Sequence, residues 1–271
     1  MGVIEPFRII EWMILCYALS IILYFYDFIQ QDRKARQLAF WLLLVVWTIQ
    51  TIFLFTKIVQ LNTLPVFNIA DGLYFFVWLI MLVSIIIRYF YNNESLVFLI
   101  NLIGFILMVI YMILYSTEQT EINEIIKGDL LLSHILIAFI AYTLYTLSFA
   151  FSVLYLLQFY MLKNKKWILR NKRFGSLEQL EKLSTVLIVF STAILIISLI
   201  LGVAWSYLTL NEFYWYDSKT IGTFLLIVIY CFILINKKIV LKKLAYWNLF
   251  AYLFLVINFI FTSQLSNYHF I

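Results

Sequence analysis

The sequence predicts an all-α, polytopic membrane protein with eight transmembrane helices and both termini outside, on three observations. The 271 residues are 65% apolar and only 12% charged, too little charge to clothe a water-exposed surface. Apolar runs of about 20 residues, the length that crosses roughly 30 Å of hydrocarbon, recur near 9–29, 38–56, 72–91, 96–115, 134–162, 184–205, 220–236 and 244–263. Basic residues then fall on alternate connections. With Met1 outside, the inner loops hold 15 of the 19 lysines and arginines, leaving Arg8, Lys57, Lys127 and Lys219 outside. The net charge of +5 is thus an orientation signal, and nucleic acid is not an expected partner. A single integral membrane domain over 1–271 is expected, with the lipid bilayer as its surroundings.

Each element carries its own signal. The first span begins with Glu5 and Glu11 and lacks a small-residue cleavage site before the second, so it reads as a retained helix and not as a cleaved signal peptide. Arg33, Lys34 and Arg36 place the start of the second span inside. The third opens beside Asp71, which is expected to line an outer cavity, and closes beside Arg88. Glu118, Glu121, Glu124 and Asp129 make the connection after the fourth span, about 116–133, a solvated loop. The fifth span leads into a basic inner loop, KNKKWILRNKR, followed by FGSLEQLEKLS. There Ser176 and Gln179 have capping-box spacing, so a short helix starts and runs into the sixth span, with Leu177, Leu180 and Leu183 on one face. That face suits the lipid interface or a cytoplasmic partner.

Within the spans, Gln50, Asn101, Asn248 and Asn258 are expected to hydrogen-bond between helices. No run of buried Asp, Glu or Arg is expected, which argues against an energised transporter. Cys16 and Cys231 lie inside spans, without CxxC or CxxCH, and read as small packing residues. Nucleotide, zinc and serine-hydrolase motifs do not occur. With no paired carboxylates and no nucleophile beside a base, no enzyme activity is expected.

The unusual chemistry collects on the outer side. The sequence holds two histidines: His134 opens the fifth span, and His269 follows the eighth. Between spans six and seven lies WSYLTLNEFYWYDSK, Trp205 to Lys219. Imidazoles ligate haem iron axially. Flat rings from Trp205, Tyr214, Trp215 and Tyr216 suit a porphyrin face, and Lys219 is the nearest cation for a propionate. Asp217 accepts hydrogen bonds only when ionised, so its expected place is behind a ligand histidine or Lys219. The site expected on this reading is a non-covalent haem b held by His134 and His269.

These residues resemble the cytochrome c assembly family, which includes the haem-handling proteins CcsA and CcmC. In that family an SLExL-type helix start leads through one span to a GxxW and then to a tryptophan-rich outer motif ending in WDPK. The matching positions are Ser176, Leu177, Glu178, Leu180, Gly202, Trp205, Asp217 and Lys219. Flanking histidines match His134 and His269, and the likeness runs over about 130–271. Tyr214, Tyr216 and Ser218 stand where the family has two tryptophans and a proline.

The length, the eight spans and the altered motif resemble most the branch of that family associated with tetrapyrrole synthesis. That resemblance implies a regulator that lowers the amount of glutamyl-tRNA reductase, with the basic inner loop 163–182 as the surface for it. Two other readings stay open: a haem-handling protein of cytochrome c assembly, or a membrane scaffold with an idle haem motif. Against the first stands the lack of histidines inside the spans, as in FILINKK at the end of the seventh.

Overall fold

The computed structural model describes residues 6–91, 93–115, 128–163, 175–212, 215–236 and 241–265. These form eight α-helices: α1 Pro6–Gln30, α2 Arg33–Leu61, α3 Ile69–Phe90, α4 Glu94–Tyr115, α5 Asp129–Lys163, α6 Leu177–Leu210, α7 Ser218–Ile235 and α8 Leu241–Leu265. All eight are long and apolar enough to cross a membrane. Large apolar side chains such as Trp41, Phe55, Phe190 and Phe250 point outward, as they do where the solvent is lipid.

Helix ends follow local chemistry. Asp32 accepts from the Lys34 N–H at 2.8 Å to start α2, directly after Gln31 turns the chain at φ 58°. Asn68 caps α3 through the Asp71 N–H, and Asn93 accepts from the Leu96 N–H at 3.1 Å at the start of α4. Asn62 and Asn211 end α2 and α6 in the left-handed region, at φ 53° and 57°. At Ser176 both hydrogen bonds of the expected capping box are present. Helix α6 therefore begins seven residues before its apolar run, and α5 begins five before its own. Apolarity marks the lipid-crossing part, whereas caps mark where the backbone turns helical.

The chain divides into two compact units, Met1–Thr120 and Glu121–Ile271. The first packs α1 with α2 and α4, and α3 with α4 and α2. Its mid-depth polar group is Asn101, whose Oδ1 accepts from Tyr17 at 3.2 Å and Ser84 at 3.3 Å, joining α1, α3 and α4. Gly104 makes room for this, since a Cβ there would stand 2.6 Å from the Tyr17 hydroxyl oxygen. Gln50 meets the Tyr74 backbone carbonyl at 3.5 Å, and the Tyr74 hydroxyl donates to the Gln50 carbonyl at 2.9 Å.

The first unit also buries charge, at separate helix ends and not as a run along a span. Asp27, Asp71 and Glu94 are buried. They sit at helix ends rather than mid-span, and Glu94 and Asp71 form ion pairs. Glu94 pairs with Arg88 and lies 3.9 Å from Arg36; Asp71 pairs with Lys57 and accepts from Asn68. Asp71 is therefore an ion-pair partner in the α2–α3 contact, where the sequence suggested a cavity wall.

In the second unit α5 lies along α6 as its main packing, with α8 against α5 and α7 against α6 and α8. The Tyr145 ring stacks on Tyr230 at 3.9 Å and its hydroxyl meets Thr192 at 2.9 Å, tying α5 to both α7 and α6. Asn248 of α8 donates to Ser148 and Ser152 of α5 at 2.9 and 2.8 Å, as expected of an interhelical amide. Asn258 of α8 lies against Gly222 of α7, so closely that any Cβ at Gly222 would overlap the carboxamide.

Candidate functional site

Helix α5 begins where α6 ends, and the antiparallel contact brings His134 onto a face of α6 made by Ser198, Gly202 and Trp205. These three recur at four and three residues, the spacing of one helical stripe. His134 Nδ1 stands 2.6 Å from the Ser198 backbone oxygen and 3.0 Å from Ser198 Oγ. A carbonyl only accepts, so Nδ1 carries the ring proton and donates it. The Ser198 hydroxyl in turn donates to the His134 backbone carbonyl at 2.8 Å. In the neutral ring the lone pair is therefore on Nε2, to which no described group hydrogen-bonds.

That arrangement is what metal-binding histidines need: one ring nitrogen fixed on an acceptor, the other left as donor to the metal. Gly202 makes it possible. A Cβ at this position would lie 2.9 Å from both Cε1 and Nδ1 of His134, inside the ring's own contact distance. One turn further along, Trp205 is buried, its indole packed where a side chain on Gly128 would otherwise point. Glycine and tryptophan of the GxxW spacing thus have separate tasks, admitting the imidazole and closing the wall beside α5.

The other sequence-selected residues fall into two groups. Trp215 and Tyr216 sit on the turn before α7 and are exposed, Tyr216 at 94%. Trp215 stacks on Phe224 of α7 at 6.4 Å. The expected aromatic platform is thus divided between a buried indole on α6 and two open rings on the turn. Asp217 is buried, and its Oδ1 accepts from the Lys219 and Thr220 N–H groups at 2.9 and 3.4 Å, capping α7. Lys219 is exposed on the first turn of α7, and its charge reaches the His134 ring. Tyr214 and His269 lie outside the described residues.

Helix α8 nevertheless ends at this end of the unit. Phe259 packs on Phe139 at 5.7 Å and Tyr142 at 6.0 Å, one to two turns from His134. Leu265, the last residue of α8, precedes His269 by four positions. Among the described residues no group of three or more His, Cys, Asp or Glu converges on a metal.

Two contributors escaped the sequence reading, Ser198 and Gly128. Ser198 had a usable signal: it is the polar residue one turn before Gly202 on the stripe that ends at Trp205. Gly128 has none, because a glycine before a helix is ordinary until a ring is seen packed on it.

Comparison with known proteins agrees in position with this site. Residues 66–269 match the family described as Cytochrome C assembly protein, a stretch that contains His134, Gly202, Trp205, Asp217 and His269. The match begins before α3, earlier than the 130–271 core that the motifs alone suggested. The chain is 37% identical over 266 residues to Protein HemX of Bacillus subtilis (strain 168), covering 97% of this chain and 96% of that protein. It is likewise 37% identical over 265 residues to Protein HemX of Brevibacillus brevis, covering 96% and 97%. With a multi-pass helical fold, the family motif and near full-length relatives in agreement, the chain belongs to the cytochrome c assembly protein family, in its HemX branch.

Proposed function

We propose that this HemX-like membrane protein regulates tetrapyrrole synthesis, lowering the level of glutamyl-tRNA reductase in response to haem bound on the outer face of the cell membrane. The observation that carries the haem part is His134, with its ring seated against Gly202, Nδ1 held by Ser198 and Nε2 without a hydrogen-bond partner among the described residues. His269 would be the second histidine to hold the iron, and Lys219 would pair with a propionate. Trp205, Tyr214, Trp215 and Tyr216 offer apolar rings to the macrocycle. When bound, haem would bring an iron that His134 and His269 would hold, chemistry that suits sensing more than catalysis. Both termini lie outside, and the basic loop 163–182 faces the cytoplasm as the surface that meets the reductase.

Two experiments test the two halves separately. Detergent-purified protein titrated with hemin develops a Soret band typical of bis-imidazole ligation, and His134→Ala with His269→Ala removes it. A protein that stays colourless under added hemin refutes the haem half and favours an idle scaffold. Deleting the gene raises reductase abundance; unchanged abundance refutes the regulatory half.

The family match favours one second reading, a haem-handling role in cytochrome c assembly. It requires that a deletion strain fail to mature c-type cytochromes, and normal maturation disposes of it.

A further inference from the structure

At the end of the second unit opposite His134, α5 finishes and α8 begins against one another through aromatic rings. The Tyr160 and Tyr246 hydroxyls meet at 2.5 Å, tying the last turn of α5 to the second turn of α8. Over these rings lies the Lys242 ammonium, 4.9 Å from the centre of Tyr160, 5.1 Å from Phe159 and 5.9 Å from Tyr246. The charge of Lys163, exposed at the end of α5, also reaches the Tyr160 hydroxyl, and Lys243 stands exposed next to Lys242 in the chain.

The charge of this cluster is unbalanced. Among the described residues no carboxylate pairs with Lys163, Lys242 or Lys243, whereas Lys57, Arg36 and Arg88 of the first unit all meet acids. Lys242 and Lys243 also sit in the first turn of α8, which holds no acidic residue and where the helix dipole repels a cation. Ring faces attract the Lys242 ammonium but leave its charge and its N–H groups in place. The phenol pair uses one proton between its two oxygens, so the second phenol proton remains to be donated. Ammonium and phenol donors thus gather at one spot, and an oxyanion with several oxygens satisfies them together.

Position selects the oxyanion. The cluster lies at the ends of two helices long and apolar enough to cross a membrane, the level at which lipid headgroups stand. Around it Tyr160, Leu162 and Trp247 are 39%, 43% and 48% exposed, apolar surface for chains attached to a phosphate. A phosphate that carries acyl chains uses both the donors and these faces; a free phosphate uses the donors alone. A zwitterionic headgroup would bring its own ammonium up to three lysines, so the class that fits is the acidic phospholipid.

We propose that Lys242, with Tyr160, Tyr246, Lys163 and Lys243, binds the headgroup phosphate of one acidic phospholipid. The site is independent of the haem reading, being at the other end of the helices and built from other residues. The test is native mass spectrometry of the full chain in non-ionic detergent, titrated with phosphatidylglycerol or with phosphatidylcholine. One phosphatidylglycerol binds in a saturable way, and phosphatidylcholine binds about tenfold more weakly. Lys242→Gln weakens the binding of phosphatidylglycerol about tenfold. Tyr246→Phe, which keeps the ring and so the helix contact, weakens it about fivefold. Lys34→Gln removes the same charge from an exposed position on α2 and changes it less than about twofold. Equal weakening by Lys34→Gln and Lys242→Gln overturns the proposal in favour of diffuse attraction to the whole surface. Equal affinity for the two lipids overturns it too, as does an affinity unchanged by Tyr246→Phe. Displacement of the bound lipid by an equal concentration of inorganic phosphate overturns the lipid assignment and makes the site one for free phosphate.

Discussion

The two units treat polar groups at their helix ends in opposite ways. In the first, acids meet bases: Glu94 with Arg88 and Arg36, and Asp71 with Lys57. Such pairs cross-link helices, and their charges are consumed by each other. In the second unit the principal groups at the two ends are neutral side chains with one atom committed and one left over. His134 anchors Nδ1 and leaves Nε2; Asn248 anchors its NH2 and leaves Oδ1. The first pattern ties helices together by charge, whereas at His134 the second leaves a ring nitrogen able to meet a ligand. The candidate site residues selected by motif, His134, Gly202, Trp205 and Asp217, lie in the second unit.

Four substitutions would break or sharpen that contrast. The largest effect is expected from His134→Ala, which removes the open nitrogen: the hemin-induced Soret band is lost while the unfolding temperature barely moves. Retained binding with unchanged ligation would show that His134 is structural after all. Next comes Glu94→Ala in the first unit, which leaves Arg88 buried without its counter-charge and costs about 3–5 kcal/mol of stability. Hemin affinity in the surviving folded protein is unchanged, and replacing Arg88 and Glu94 together by apolar residues of similar volume restores most of the loss.

Gly202→Ala follows, because its Cβ would press on the imidazole at 2.9 Å. The expected cost is about 1–3 kcal/mol, together with weakened hemin binding; a variant that binds as tightly as the parent would mean the ring has space to move. The smallest effect is that of Asp217→Ala, losing the cap of α7 for about 1 kcal/mol. Asp217→Asn keeps a capping oxygen and should match the parent in both melting and hemin titration. If Asp217→Asn alone abolishes hemin binding, the carboxylate acts on the site directly and not through the helix start.

Much of the fold could be read from single residues. Ser176 and Gln179 announced the start of α6, and Asn101 and Asn248 announced interhelical hydrogen bonds. His134, Gly202 and Trp205 could be selected by spacing as well. What could not be read was their division of labour. The sequence treated Trp205, Trp215 and Tyr216 as one platform, yet burial separates the first from the other two. It placed Asp217 behind a ligand histidine or Lys219, and could not show that the same carboxylate also caps α7 through the Lys219 and Thr220 N–H groups. It also missed that Asp71 and Lys57, 14 residues apart, would meet across a turn.

By itself, then, the sequence determined the membrane class, the eight spans and most helix boundaries. Those depend on constraints that act along the chain: hydrocarbon thickness, satisfaction of backbone hydrogen bonds within each helix, and caps that reach two or three residues. Only the tertiary structure decided which nitrogen of His134 is left open and which serines engage the NH2 of Asn248. Their partners come from 64 to 100 residues away. A side chain with two inequivalent ends is assigned its free end by whatever neighbour engages the other, and helix packing alone chooses that neighbour.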